Sequence, residues 1–452
     1  MFLCSKLINF KIKIDSKSGG SMRYPDLDEL SEEDRILKEE VHRFAAEVIR
    51  PASIELDRIP PEERIKRDSP YFEVMKKMKK LSYHKIHVPP EFGGLDLTAL
   101  DRYIIMEELG WGSLGFATAI GVDQIPFVNA LLFGPDELVE DLVKPWLEDE
   151  ECRYHGCWAV TEPEHGSDYL LCFRDEEADK FGRGNVIAQE DGDGWVLKGQ
   201  KSAWVSSAPV ATHCGLHAQV KDGKAIYDGI FCIVPLDAEG VRKGKVADMM
   251  GMRDDPQGEL FFDNVWIPEH YVVVAPTPFY GIFFDQLLCL TSCGMGAFAV
   301  GLARAAFEEA LTYARQREQG GKPLVKHKNI KLKLYEMFEK VETARYFVRK
   351  TMEYVHRKIL VEKTFDAFPR HARAAQIYAK KVAFEVANEA LQIFGAYGLS
   401  SDFIVEKLFR DARALLIEDG TIEVLSFDAA DDVISNYEKD YYDVEDISRR
   451  YE

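Results

Sequence analysis

The sequence has no paired cysteines. Eight stand at positions 4, 152, 157, 172, 214, 232, 289 and 293, and none belongs to a CxxC. Zinc modules draw on closely spaced ligand pairs, so that class is excluded and no metal site is expected. In a chain of 452 residues without a secretory signal, reduced thiols are the expectation. Positive charge is also scarce: 57 Lys plus Arg face 77 Asp plus Glu, for a net charge of −20. A general nucleic-acid binder needs a basic face to neutralise phosphate, and this balance argues against one. Long apolar runs are wanting too. The stretch 279–290 is broken by Gly281 and Asp285, and a bilayer span takes about 20 apolar residues, so no membrane span is expected. Walker A, GxSxG and HExxH motifs are absent.

What is present suits a large folded protein. The chain is 46% hydrophobic, 30% charged and 12% aromatic, and its length allows about three domains. The start, MFLCSKLINFKIKIDSKSGGSM, meets Lys6 before an apolar core can form. It reads as a leader or, preferably, as an extended start over 1–21, with Met22 as the effective beginning. From Ser31 an apolar stripe of Leu37, Val41, Phe44, Ala45 and Val48 marks a capped helix that Pro51 should stop. Helical periodicity then carries the first third, 22–155. In the second, 156–275, Asp191-Gly-Asp-Gly194 between two branched runs signals a hairpin, and 230–234 and 260–265 look like strands. From 276 to 452 the pattern is again helical, as long amphipathic stretches that suit an antiparallel bundle before an acidic tail.

Two motifs invite overreading. Gly294-Met-Gly296-Ala-Phe-Ala299 fits a loose dinucleotide fingerprint but has no preceding strand; its small residues are expected to let two bundle helices approach. His165 beside Asp168 lacks the partner spacing of a metal site. The segment Trp158-Ala-Val-Thr-Glu-Pro-Glu-His-Gly-Ser-Asp168 is a hydroxyl-bearing loop that could hold a heterocycle or phosphate by its main chain.

That segment resembles the TEPxxGSD signature of the acyl-CoA dehydrogenase family, and the resemblance continues in order. Val88-Pro-Pro-Glu-Phe-Gly-Gly94 is similar to the P-E-[YF]-G-G turn, and Gly199-Gln-Lys-Ser-Ala-Trp204-Val-Ser206 to the G-x-K-x-[WY]-[IV]-[TS] strand. Gly251-Met-Arg253 with 262–268, Leu391-Gln-Ile-Phe-Gly395-Ala-Tyr-Gly398, and Arg410-Asp-Ala-Arg413 through Asp419-Gly-Thr421 complete the series. The resemblance implies an α+β chain: an N-terminal helical domain, a central β-barrel and a C-terminal four-helix bundle, with FAD between barrel and bundle. Val160 and Thr161 would bond the flavin's pyrimidine side, Trp204 would pack on the ring, and Ser206 would approach N5. Trp158, Gly166, Ser167, Thr421 and Glu423 would complete the cofactor contacts. Arg317, Gln392 and Gly395 would reach the FAD of a neighbouring copy, which implies a homo-oligomer. Ser167, Asp123 and Gly420 would meet the acyl-CoA. Electron-transferring flavoprotein is the implied acceptor, and the cytoplasm, or the mitochondrial matrix in a eukaryote, the implied location.

The departures are informative. Arg317 is followed by Glu-Gln-Gly320-Gly321 where the family has x-x-Phe-Gly, Lys328 replaces a glutamine, and Ser292 stands where the first bundle helix usually carries arginine. The family's catalytic glutamate aligns with Asp419, one methylene or about 1.5 Å shorter. Its task would be α-proton abstraction from an acyl thioester while the β-hydride leaves for the flavin, giving the α,β-unsaturated product. Glu418 and Asp123 are rival carboxylates, with Asp123 equally readable as a second base or as a helix-end residue. An aspartate base fits an alicyclic or otherwise unusual acyl group. The same features allow an enoyl-CoA reductase, a flavin oxidase of a non-CoA substrate such as a nitroalkane, or a non-catalytic acyl-CoA-binding protein.

Overall fold

The computed structural model of the protein describes Leu27 and residues 30–170, 184–223 and 228–441. The 1–21 segment, Cys4, Cys172 and the end of the acidic tail lie outside the described residues.

The longer N-terminal helices are α1 (Glu32–Phe44), α2 (Arg50–Arg58), α3 (Pro70–Lys80), α4 (Ala99–Gly112), α5 (Leu114–Asp123) and α6 (Ile125–Phe133). Ser31 caps α1 in a capping box: its Oγ accepts from the Asp34 N–H, and the Asp34 carboxylate accepts from the Ser31 N–H. Pro51 does not end this helical run, as the sequence reading expected. A π-turn over Ala45–Ile49 re-phases the backbone, and Pro51 falls in the first turn of α2, where no N–H donor is needed.

The middle domain is an eight-stranded sheet: β1 (Gly156–Ala159), β2 (Ile187–Asp191), β3 (Gly194–Ser206), β4 (His213–Val220), β5 (Gly229–Pro235), β6 (Val241–Val246), β7 (Gln257–Pro268) and β8 (Val272–Val274). Its order is β6-β7-β3-β2-β4-β5-β8, with β1 parallel to β4. The Asp191–Gly194 turn closes the β2–β3 hairpin, and Gly192 adopts the φ of 65° that such a turn requires. Trp195, Leu197, Leu216, Cys232, Leu260 and Phe262 share one core, so the sheet curls around it.

The C-terminal helices are α7 (Phe279–Gln316), α8 (Lys328–His356), α9 (Pro369–Phe394), α10 (Val405–Leu415) and α11 (Ile422–Tyr441). Two segments, Leu114–Phe133 and Phe279–Gln316, prove apolar and long enough to cross a membrane, contrary to the sequence expectation; 78% and 89% of their apolar windows are buried inside this protein. They are core helices here. α4 and α7 cross at Gly110 and Gly301: a Cβ on Gly301 would lie 2.1 Å from the Glu107 carbonyl oxygen, and one on Gly110 2.4 Å from that of Phe298. Gly296 likewise faces Val348 of α8 at 3.2 Å, the close-approach role read from the sequence.

Beside that crossing lies a buried ionic network. Arg304 donates to Glu107 at 2.6 Å and binds Glu108, and Arg345 donates to Glu107 at 2.9 Å. Burial alone would raise the Glu107 pKa, but Arg345 and Arg304 hold it well below the usual carboxylate range. The described cysteines, 152, 157, 214, 232, 289 and 293, are all buried.

Candidate active site

A cavity of about 900 Å³ opens between the sheet and the helices. Its sheet wall carries Trp158, Val160, Thr161, Gly166, Ser167, Trp204 and Ser206, so the structure gathers these sequence-predicted residues around one space. The loop bearing most of them is pinned from below. Buried Lys201 donates to Val160 O at 2.8 Å and to Glu162 Oε1 at 2.9 Å, and Glu162 and His165 exchange backbone hydrogen bonds. His165 pairs with Asp168 at 2.8 Å, and no group of three or more metal-ligating side chains is found among the described residues. Thr161 Oγ1 meets Ser202 Oγ at 2.5 Å, and Trp158 Nε1 donates to His217 Nε2 at 3.0 Å. His217 is buried, which depresses its pKa; its neutral ring accepts from Trp158 and faces Tyr280 OH through Nδ1. Trp204, by contrast, is 61% exposed for so large an apolar ring.

The opposite rim is the 416–421 loop between α10 and α11. Glu418, Asp419, Gly420 and Thr421 all line the cavity. Asp419 and Gly420 adopt left-handed φ values of 51° and 86°, a conformation that costs a non-glycine residue about 1 kcal/mol and needs external support. Support comes from Lys380 of α9, whose Nζ donates to Glu418 O at 2.5 Å and reaches Gly420 O at 3.5 Å. Gln376 Nε2 donates to Asp419 Oδ2 at 2.7 Å, and Gln257 Nε2 to Glu418 Oε1 at 2.7 Å. The loop is tied across to the sheet by the Thr421 N–H, which donates to Ser167 Oγ at 3.1 Å. Both of these rival carboxylates line the cavity, Glu418 held from β7 and Asp419 from α9.

Burial pushes the Asp419 carboxyl up, with Lys380, Arg373 and Gln376 opposing, and it raises Glu418 to about 7. Burial also lowers Lys380 to about 8, against the pull of Asp419 and Glu418. Asp255 is a further buried carboxyl behind them, raised well above the usual range by burial and then by Glu418.

Asp123 is not at this site. Its carboxylate is fully buried, accepts from Gly156 N at 3.0 Å and Trp146 Nε1 at 3.2 Å, pairs with His155 at 2.6 Å, and lies 3.3 Å from Lys79. Burial would raise it, but Lys79 and His155 hold it far below the usual range. It is a structural anion that joins α5 to β1, neither a second base nor a substrate contact. Glu423 is exposed on the first turn of α11 and does not line the cavity. Arg317, Gln392 and Gly395 are also exposed, at the far end of the bundle, where the Arg317 guanidinium lies 5.5 Å from the Tyr397 ring. Tyr397 thus supplies an aromatic face near Arg317. An arginine of α9 reaches Ser292: Arg373 donates to Ser292 Oγ at 2.7 Å and to Leu288 O at 2.9 Å, and pairs with Asp428. Gln257, Gln376, Lys380 and Arg373 were all missed. The last three recur at helical spacing, a polar stripe in an alanine-rich helix that was the available signal.

Residues 31–150 match the acyl-CoA dehydrogenase N-terminal domain, 157–265 its middle domain and 288–433 its C-terminal domain. The chain belongs to the acyl-CoA dehydrogenase family. It is 29% identical over 398 residues to the 3-(aryl)acrylate reductase of Clostridium sporogenes, covering 87% of this chain and 96% of that protein. It is 27% identical to the mitochondrial short-chain specific acyl-CoA dehydrogenase of Rattus norvegicus, covering 90% and 92%. Butyryl-CoA dehydrogenase from Megasphaera elsdenii superposes with a TM-score of 0.76 at 25% identity, over 91% of this chain and all of that one.

Acyl-CoA dehydrogenase family members use FAD. The residues present fit a flavin. The exposed face of Trp204 offers a flat apolar surface, and Arg413, which lines the same cavity, has a buried Nη1 without a partner among the described residues, a donor suited to an acceptor oxygen.

Proposed function

We propose that the cavity is the catalytic centre for α,β-dehydrogenation of an acyl-CoA thioester, with Asp419 as base. The single observation that carries this assignment is the 416–421 loop. It is held in a strained conformation from α9 and presents a carboxylate, raised by burial, to the wall opposite Trp204. A base whose pKa lies nearer the working pH suits removal of a weakly acidic proton. The Asp419 carboxylate takes the α-proton. The backbone N–H of Asp419, aimed at the thioester carbonyl, stabilises the charge that builds on its oxygen. FAD, when bound, accepts the two electrons of the β C–H bond as hydride. The carbon–carbon double bond forms as both leave.

In this reading Val160, Thr161, Trp158 and Gly166 hold the flavin ring, and Ser206 approaches it beside Trp204. Ser167 and Thr421, already bonded to each other, extend the cofactor contacts. Arg317, Gln392 and Gly395 serve the cofactor of a second copy in a homo-oligomer. Ser167 and Gly420 meet the thioester arm. Residues 22–155, 156–275 and 276–452 act as three domains, electron-transferring flavoprotein takes the electrons, and the protein works without a membrane span in the cytoplasm or a mitochondrial matrix. A reductive direction is the second reading, favoured by the likeness to a 3-(aryl)acrylate reductase.

Anaerobic addition of linear, branched and alicyclic acyl-CoAs to the holoprotein tests the assignment. Bleaching of the flavin band is expected, and its loss in Asp419→Asn. An unbleached flavin with every saturated thioester, and reoxidation of reduced flavin by enoyl thioesters, would select the reductase instead.

A further inference from the structure

The helical wall of the cavity is less hydrocarbon-like than its phenylalanines and leucines suggest. Three of its side chains carry buried polar atoms with no hydrogen-bond partner among the described residues: His87 Nδ1, Thr118 Oγ1 and Gln124 Oε1. Thr118 and Gln124 are 6% and 3% exposed. The other polar groups of this wall are engaged. Asn129 Nδ2 donates to Ile125 O at 2.7 Å, and Gln286 both donates to and accepts from the Ala367 backbone. All three atoms are already shielded from solvent, so a plain alkyl chain beside them would leave their hydrogen-bonding capacity unmet, whereas a polar group reaching them would satisfy it.

Gln124 defines what is wanted. Its Nε2 donates to Ile120 O at 3.2 Å. A carbonyl only accepts, so the atom beside it must be the amide nitrogen, which fixes the amide and leaves Oε1 as an acceptor in need of a donor. Ketones and esters cannot supply one; a hydroxyl can. The Thr118 hydroxyl and the His87 imidazole can each donate or accept. None of the cavity-lining residues of α5, α6 and α7 is charged, so an acyl group ending in a carboxylate between these helices would find no counter-ion. Room is available, because Gly121 sits between Thr118 and Gln124 on α5 and a Cβ there would meet nothing nearer than the Phe298 ring at 3.5 Å. Thr118 and Gln124 are six residues apart, about 9 Å along the helix, so the wall offers hydroxyl contacts at more than one depth.

We infer that the substrate is an acyl thioester whose acyl group carries a hydroxyl beyond the β-carbon, received by Gln124, Thr118 and His87. This rests on the dehydrogenase reading of the cavity.

The test uses holoprotein and two series of acyl-CoAs of equal chain length, one unsubstituted and one hydroxylated at successive carbons from γ outward. Anaerobic flavin bleaching gives relative kcat/KM, and calorimetry with the matching enoyl-CoAs gives product affinity without turnover. At least one hydroxylated isomer should exceed its parent about ten- to a hundredfold in both. In Thr118→Val and Gln124→Leu that ratio should fall toward one. Equal response to the two series in the unaltered protein would overturn the hydroxyl subsite and leave the dehydrogenase reading standing. A flavin that no thioester of either series bleaches would overturn both.

Discussion

Gln376 of α9 donates a 2.7 Å hydrogen bond to the Asp419 carboxylate, although the two lie 43 residues apart. A bundle helix, not the loop itself, therefore sets the direction in which the proposed base faces.

Replacing the base should show first. Asp419→Asn is expected to slow anaerobic flavin bleaching by about 10²- to 10⁴-fold, while Glu418→Gln slows it less than about tenfold. Stopped-flow traces with one saturated thioester decide; the reverse order of effects would move the base to Glu418.

The Gln376 bond favours the ionised form of Asp419. Gln376→Met removes it, so the carboxyl should hold its proton to higher pH. The acid limb of kcat/KM is expected to shift alkaline, with little loss at the plateau, when profiles of the two proteins are overlaid.

Glu418 gives a stability signature. Its ordinary value of 4.5 is raised to about 7 in the folded chain. Between those values the folded protein keeps a proton that the unfolded chain releases, so this group's contribution to stability falls as pH rises. Melting of ligand-free protein should show Glu418→Gln gaining on the parent from about pH 4.5 to 7, then holding a constant lead.

The network at the α4–α7 crossing should be intolerant of half-removal. Arg345→Met leaves Glu107 buried with Arg304 as its remaining buried guanidinium partner, and a loss of about 3–5 kcal/mol is expected in denaturant titration. Replacing Lys350, paired with Glu353 on the surface of α8, should cost under about 1 kcal/mol.

Gly301→Val should also be severe, since its first side-chain carbon already meets the Glu107 carbonyl. Overpacking against backbone costs about 1–3 kcal/mol or more. A melting point equal to the parent's would mean that α4 and α7 can separate freely.

Sequence patterns with local causes were legible. The capping box of Ser31 and the Asp-Gly hairpin each act over a few neighbouring residues, and spacing alone reveals them, while the small residues of α7 showed a close helix approach without naming the helices they meet. Pro51 misled because a proline stops a helix only when its missing N–H is needed, and the π-turn before it removed that need. Asp123 misled for a different reason. A carboxylate at a helix end looks the same in sequence whether it faces a cavity or Lys79 and His155, and those partners come from segments 44 and 32 residues away. Arg373 meets Ser292 from another helix altogether, a contact that only the packing of α9 against α7 exposes.

The buried thiols carry one further consequence. Cys152 lies beside the N-terminal helices, Cys157, Cys214 and Cys232 in the sheet, and Cys289 and Cys293 in the bundle, all shielded from solvent. Burial raises Cys152, Cys232 and Cys293 to about 12, so none offers a thiolate to an alkylating reagent until its surroundings part. Each layer thus carries its own built-in clock, and the order in which the cysteines become modified will record which layer of the molecule opens first.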